Sequence, residues 1–242
     1  MRNDAMYAMP GVIDWDEALA RVVHELRAPL TSILGWATLM QSRPLTVEQM
    51  QRAVEVICAS ARAQKRLLED LLDHAHLARG RLRIERQRVE LGEVVGAAVV
   101  AATPLAADAG VALELCRRAR APLDGDPMRL RQVVDNLLSN AIRYSPRDAR
   151  VLLTVERRRG EALMRVRDSG VGIAPSLLPY VFERFRRGAH SRGLGLGLAI
   201  ARHIVEEHGG TIAAESDGEN RGATFTVSLP CGEALVLAPT AA

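Results

Sequence analysis

Aromatic side chains are scarce in this chain: two Trp, three Tyr and three Phe among 242 residues, 3% in all. So few rings exclude a stacking platform for single-stranded nucleic acid. They also leave the core to Leu, Val, Ile and Ala, a composition that suits helix-rich packing. Cysteine is nearly absent. Cys58, Cys116 and Cys231 stand far apart and share no metal-ligand spacing, so they read as reduced residues of a cytoplasmic protein. The longest apolar stretch, Gly96 to Ala102, is too short to span a bilayer, and no apolar run follows the polar first residues as a signal peptide requires. Charge of one sign is lacking too. The 32 basic and 29 acidic residues leave +3, and the dense runs at Arg157–Arg159 and Arg184–Arg187 form no basic stripe for nucleic acid.

What is present is periodicity. Residues 1–13 carry no pattern and read as a flexible leader ending near Pro10-Gly11. From Asp14 a helix begins, with Asp16 and Glu17 favoured by the dipole in its first turn. Leu19, Val23, Leu26, Leu30, Ile33, Ala37 and Met40 recur at alternating fours and threes, a heptad seam. Pro29 lies inside it and is expected to bend the helix. Pro44 breaks the pattern and Thr46 caps a second helix, with a seam from Val47 through Met50, Val54 and Ile57 to Ala75, ended by Gly80. Two such helices form an antiparallel hairpin over 14–80, and a hairpin this long pairs with a second copy as a dimeric four-helix bundle.

After Gly80 the texture is mixed. Strands are expected at 82–89, 111–116, 151–157, 163–167, 211–215 and 224–229, and helices at 91–107, 126–144 and 194–208. Residues 81–232 therefore read as one α/β sandwich, and 233–242 as a flexible tail. His74, His76, His203 and His208 read as surface groups.

Three short motifs carry chemistry. Asp168-Ser-Gly170-Val-Gly172 follows a strand, where a buried carboxylate beside glycines suits a polar ring edge. Gly193-Leu-Gly195-Leu-Gly197 opens a helix, where free N–H groups attract phosphates. Asn136 and Asn140 lie four apart on one helix face, and an amide oxygen can serve a hard cation such as Mg²⁺ bound by phosphates. Taken singly, ordinary turn glycines explain the first two about as well, and two ordinary helix asparagines are the default for the third.

In order they resemble one family. The boxes are H-E-L-R-A-P-L-T at His24, D-N-L-L-S-N-A-I-R-Y-S-P around Asn136, D-S-G-V-G-I at Asp168, F-E-R-F at Phe182, G-L-G-L-G-L-A at Gly193 and G-A-T-F at Gly222. Over residues 15–231 the chain resembles the catalytic core of a sensor histidine kinase. The resemblance implies a dimerisation and histidine-phosphotransfer hairpin followed by an ATP-binding domain of Bergerat type. It implies ATP and Mg²⁺ as cofactors, a response-regulator receiver domain as partner, and a sensor module that is separate or missing. His24 would be the phosphoacceptor and Glu25 the base that takes its proton. Asp168 would bind the adenine amino group, with Gly170, Gly172 and Thr224 near the base, and Asn140 would ligate the metal. Asn136, Arg143 and Tyr144 would line the phosphate and ribose side. Gly193, Gly195 and Gly197 would close over the phosphates, with Phe182 and Phe185 anchoring a short lid over 174–192.

Two other readings stand beside this one. An ATP hydrolase of the gyrase type carries a water-activating glutamate one turn before its metal-binding asparagine, where this chain has Asn136. An inactive dimeric adaptor would show eroded ATP boxes, whereas here Arg143 merely stands for the family's lysine. One departure has a consequence: four residues after His24 the family has Thr or Asn, and Ala28 lacks any hydrogen-bonding group. Weak phosphatase activity toward the partner is the expectation.

Overall fold

Why two long helices form first is plain from their ends. In this computed structural model, which describes residues 15–78, 83–186 and 193–231, α1 spans Trp15–Ser42 and α2 spans Val47–Ala78. Thr46 closes a capping box. The Gln49 N–H donates to Thr46 Oγ1, and the Thr46 N–H donates to Gln49 Oε1, both at 3.2 Å. The α1 helix runs unbroken through Pro29. The leader over 1–13, the tail over 233–242 and Gly80 lie outside the described residues.

The chain divides into two compact units. One holds the helices up to Leu72, and the other begins at Asp73, Gly193 and Leu194 excepted. The first unit has almost no core of its own: among the described residues of its two helices, up to Leu72, only Ala53 is buried. Leu19, Val23, Leu30, Leu34, Val47 and Val54 are 44–71% exposed. Part of the expected seam, with Leu34 beside it, is thus an apolar stripe on the surface of the single chain, while Leu26, Ile33, Ala37 and Ile57 are half-buried.

The second unit takes in the last turn of α2 and continues with β1 (Gln87–Glu90), α3 (Leu91–Ala109), β2 (Ala112–Arg118), β3 (Pro122–Gly125) and α4 (Pro127–Tyr144). It ends with β4 (Arg150–Arg158), β5 (Glu161–Arg167), α5 (Gly197–Glu207), β6 (Thr211–Glu215) and β7 (Thr224–Pro230). The main sheet runs β2-β4-β5-β7-β6, parallel at β2–β4 and antiparallel elsewhere. Its strands alternate as period two requires, burying Val151, Leu153 and Val155 on β4, Ala162, Met164 and Val166 on β5, and Phe225, Val227 and Leu229 on β7. The three helices complete a two-layer sandwich. Leu130, Val133, Val134, Leu137, Leu138, Ala141 and Ile142 of α4 are all buried, at about 1.5–3 kcal/mol for each large apolar side chain.

Three expectations need correction. The strand over 82–89 shrinks to β1, because Arg83, Arg86 and Arg88 keep that stretch exposed and only Val89 is buried. Its partner β3 has no strand signature, since Pro122, Asp124 and Gly125 are poor strand formers. The helix expected from Leu194 starts at Gly197, because Gly193 and Gly195 adopt φ of 97° and 70°, outside helical space. Among the described residues α3 is the one helix long and apolar enough to cross a membrane, but Leu91, Val95, Ala98 and Ala106 are buried in this sandwich.

His208 is a further correction, at 2% exposure. Its Nε2 accepts the Asp126 N–H at 2.9 Å, so Nδ1 carries the proton and faces Ile204 O at 2.7 Å. The Asp126 carboxylate caps α4 through the Met128 and Arg129 N–H groups and also accepts the Glu85 N–H. The end of α5 and the start of α4 are thereby tied together.

Candidate functional site

The antiparallel β5–β7 pair delivers Asp168 one residue beyond β5, beside Ala223, and only 8% exposed. Its N–H donates to Ala223 O at 3.0 Å. Its Oδ1 accepts the Gly170 N–H at 2.9 Å and the Ala223 N–H at 3.2 Å. Burial pushes the carboxyl above the usual carboxylate range, against the pull of those two N–H groups. Oδ2 keeps the acceptor capacity left over for a ligand donor.

Main chain crosses main chain around this carboxylate. A Cβ on Gly170 would lie 2.3 Å from Tyr144 O, one on Gly172 2.0 Å from Gly218 O, and one on Gly222 2.2 Å from Asp168 O. The crossings are tied by Val171 N–H to Tyr144 O (3.1 Å), Asn220 N–H to Val171 O (2.7 Å) and Gly222 N–H to Gly170 O (3.1 Å). Thr224 opens β7 one residue after Ala223. Asp168, Gly170, Gly172, Tyr144 and Thr224 are therefore brought into one neighbourhood.

A second cluster forms where α4 meets α5. Asn136 faces inward as expected, and its Nδ2 donates to Gly197 O at 2.9 Å. Asn140 and Arg143 follow on α4, Asn140 half-buried and Arg143 exposed. The Phe185 N–H donates to Gly195 O at 3.0 Å, and a Cβ on Gly195 would lie 2.6 Å from Arg186 O. The Phe182 ring meets Phe225 edge-on at 6.3 Å. Residues 187–192 of the expected lid lie outside the described residues. His24, exposed, and Glu25, half-buried, stand on α1 in the first unit.

Among the described residues no three His, Cys, Asp or Glu side chains gather as a metal cage. The half-buried Asn140 amide is the kind of hard oxygen donor that an Mg²⁺ carried on phosphates would accept. Two basic hollows of about 480 and 340 Å³ open beside the β4–β5 turn, lined by Arg117, Arg158, Arg159 and neighbours. They lie at the opposite end of β5 from Asp168 and contain none of the candidate residues.

Residues 14–80 match the model of the His Kinase A (phospho-acceptor) domain, and residues 125–233 match that of the histidine kinase-, DNA gyrase B- and HSP90-like ATPases. The chain belongs to the histidine kinases. This histidine kinase core is 35% identical over 213 residues to the sensor protein DivL of Caulobacter vibrioides, covering 88% of the core and 27% of that protein. It is 31% identical over 216 residues to the sensor histidine kinase CusS of Escherichia coli, covering 87% and 44%. The core thus spans between about a quarter and under half of these curated relatives. Among solved structures, full-length ShkA in complex with AMPPNP superposes with a TM-score of 0.66 at 28% identity, over 89% of the core and 46% of that chain. The mycobacterial sensor histidine kinase MprB gives 0.56 at 29%, over 61% and 98%.

Two residues of the kinase core escaped the sequence. Asp73 is 7% exposed and His74 is half-buried, though both lie in a polar run at a helix end that reads as surface. Their partners are more than fifty residues away, and no local spacing announces them.

Proposed function

We propose that this core is an ATP-dependent protein-histidine kinase that phosphorylates its own His24 and passes the phosphoryl group to an aspartate of a response-regulator receiver domain. The observation that carries it is an exposed His24 beside Glu25 within the phospho-acceptor match, in the same chain as a buried, glycine-bracketed Asp168 within the ATPase match. One imidazole nitrogen attacks the γ-phosphorus, the bond to the ADP oxygen breaks, and Glu25 takes the proton from the other nitrogen. Asp168 accepts from the adenine amino group, with Gly170, Gly172 and Thr224 around the base. The start of α5, with Gly193, Gly195 and Gly197, faces the phosphates, where its N–H groups and dipole favour negative charge. Asn140 gives its amide oxygen to the Mg²⁺ those phosphates carry, while Arg143 and Tyr144 line the ribose and phosphate side. An ATP-dependent reaction of this kind is one of the cytoplasm, where we put it.

The exposed apolar stripe of the first unit supports a homodimer through the hairpin, since two chains would cover what one leaves bare. Asn136 at the position where gyrase-type enzymes activate water, with its amide nitrogen held by Gly197 O, speaks for transfer to histidine over hydrolysis.

Incubation with γ-labelled ATP and Mg²⁺ tests this. Acid-labile, alkali-stable protein label that disappears in His24→Gln is the expected result. Steady phosphate release with no protein label would replace the reading by a hydrolase. No label at high concentration of a folded dimer would replace it by an adaptor.

A further inference from the structure

We propose that His74, at the end of α2, is a positioning residue for the phosphate end of the nucleotide site. The inference rests on the reading above that the second unit binds ATP. It begins with Asp73, whose Oδ1 accepts from Arg129 Nη1 at 2.8 Å and whose Oδ2 accepts from Gln132 Nε2 at 2.5 Å. Arg129 Nη1 also donates to Gln132 Oε1 at 2.9 Å, which closes the cluster. Both Asp73 oxygens are thus held on the first turns of α4, and the turn of α2 that bears His74 has a fixed place. Such a carboxylate, 7% exposed, is stable only while its donors stay.

The His74 ring meets Phe185 edge-on, with centroids 5.2 Å apart and planes at 65°. Its Nε2 is buried and has no hydrogen-bond partner among the described residues. Desolvation, helped by the Arg184 charge, moves its pKa below the ordinary value, so the ring is neutral at pH 7. A neutral ring with an unpartnered nitrogen makes no ion pair here, and its contribution is the contact with Phe185.

Phe185 needs that contact. Its φ of 60° is left-handed, a region bulky side chains avoid. Such a conformation is strained and persists only where neighbours over-determine it. One determinant is the hydrogen bond from the Phe185 N–H to Gly195 O. Another is the ring of His74. Gly195, at φ 70° and under the Arg186 carbonyl, has no freedom to adjust by itself, and two residues later Gly197 opens α5. The contacts therefore run from Arg129 and Gln132 on α4, through Asp73 and the His74 ring on α2, to Phe185 and Gly195, and so to the helix N-terminus that faces the phosphates.

The test uses the full chain with His74→Ala, His74→Phe and Asp73→Asn. A fluorescent ATP analogue reports binding, and initial-rate autophosphorylation reports kcat and KM. His74→Ala is expected to raise the Kd of the analogue and the KM for ATP by about two- to tenfold, the range an aromatic pair supplies, with kcat little changed. His74→Phe keeps the edge-on contact without the nitrogen and is expected to restore KM. Asp73→Asn is expected to shift KM in the same direction as His74→Ala. Should His74→Ala fail to fold, His74→Phe and Asp73→Asn decide: a wild-type KM in Asp73→Asn, or a raised KM in His74→Phe, overturns the proposal. Unchanged KM in a folded His74→Ala, or a fall in kcat alone, also overturns it. Wild-type protein that binds no ATP analogue would instead overturn the reading of the site itself.

Discussion

Replacing Asp168 by asparagine is expected to separate nucleotide binding from folding. In the native site Oδ1 already accepts two main-chain N–H groups, from Gly170 and Ala223. The asparagine oxygen can take over both. Its NH₂ group then occupies the place of Oδ2, so a donor faces the donor of the adenine ring. The loss is one hydrogen bond to a charged acceptor, about 1.5–3 kcal/mol. That corresponds to a Kd higher by roughly 10- to 150-fold. Stability without nucleotide moves the other way. Because the folded-state pKa of Asp168 is raised by burial, its ionisation opposes folding. The stability linked to this group is fully present below the unfolded value of about 3.9 and is lost as pH rises through the folded value. Asparagine carries no such penalty, so the variant gains on the wild type as pH rises from about 4 toward neutrality. Titration calorimetry with ATP, and thermal unfolding without nucleotide at acid and neutral pH, measure the two effects. A Kd within twofold of wild type would refute the assignment of Oδ2 to the ligand. A variant less stable than wild type at pH 7 would refute the desolvation argument.

Other perturbations sort by mechanism. Gly222→Ala meets both a φ of 69° and the Asp168 carbonyl, and should cost roughly 2–5 kcal/mol in urea unfolding, whereas Gly160→Ala, at φ 83° with open space around it, should cost about 1 kcal/mol. His208→Ala removes the acceptor for the Asp126 N–H and a wholly buried ring, so about 2–5 kcal/mol should be lost in the same assay. Ala28→Thr should speed dephosphorylation of a phosphorylated receiver domain while leaving autophosphorylation of His24 intact, and a variant slower than wild type would refute the role given to that position.

Much of this architecture is local in origin and therefore readable. The seven apolar residues between Leu130 and Ile142 repeat at helical spacing, and each is buried on α4. Asp126 followed by Pro127 marks the start of that helix, and the structure places the cap there. Asn136 is legible too, because a polar residue on an apolar face demands a partner, and Gly197 O supplies it. What fails is whatever depends on distant partners. β3 exists because β1 pairs with it and not because of its own residues. His208 follows a helix and precedes two glycines, the pattern of an exposed cation at a helix end. Only Asp126, 82 residues earlier, explains its burial. α5 starts three residues later than its apolar period suggests because Gly193 and Gly195 adopt positive φ, which such a period cannot reveal. Motif order, in contrast, survives all of this, since each box is set by what must approach the backbone.

The crossings at Gly170, Gly172 and Gly222 bear on how this fold could be inhibited. Each places a carbonyl within 2.3 Å of where a side chain would begin, so none of the three positions can enlarge to block a bound compound without breaking the wall it belongs to. A molecule that reads this main chain leaves few routes to resistance. One that leans on side chains, such as those of Thr224 or the exposed Arg143, leaves more.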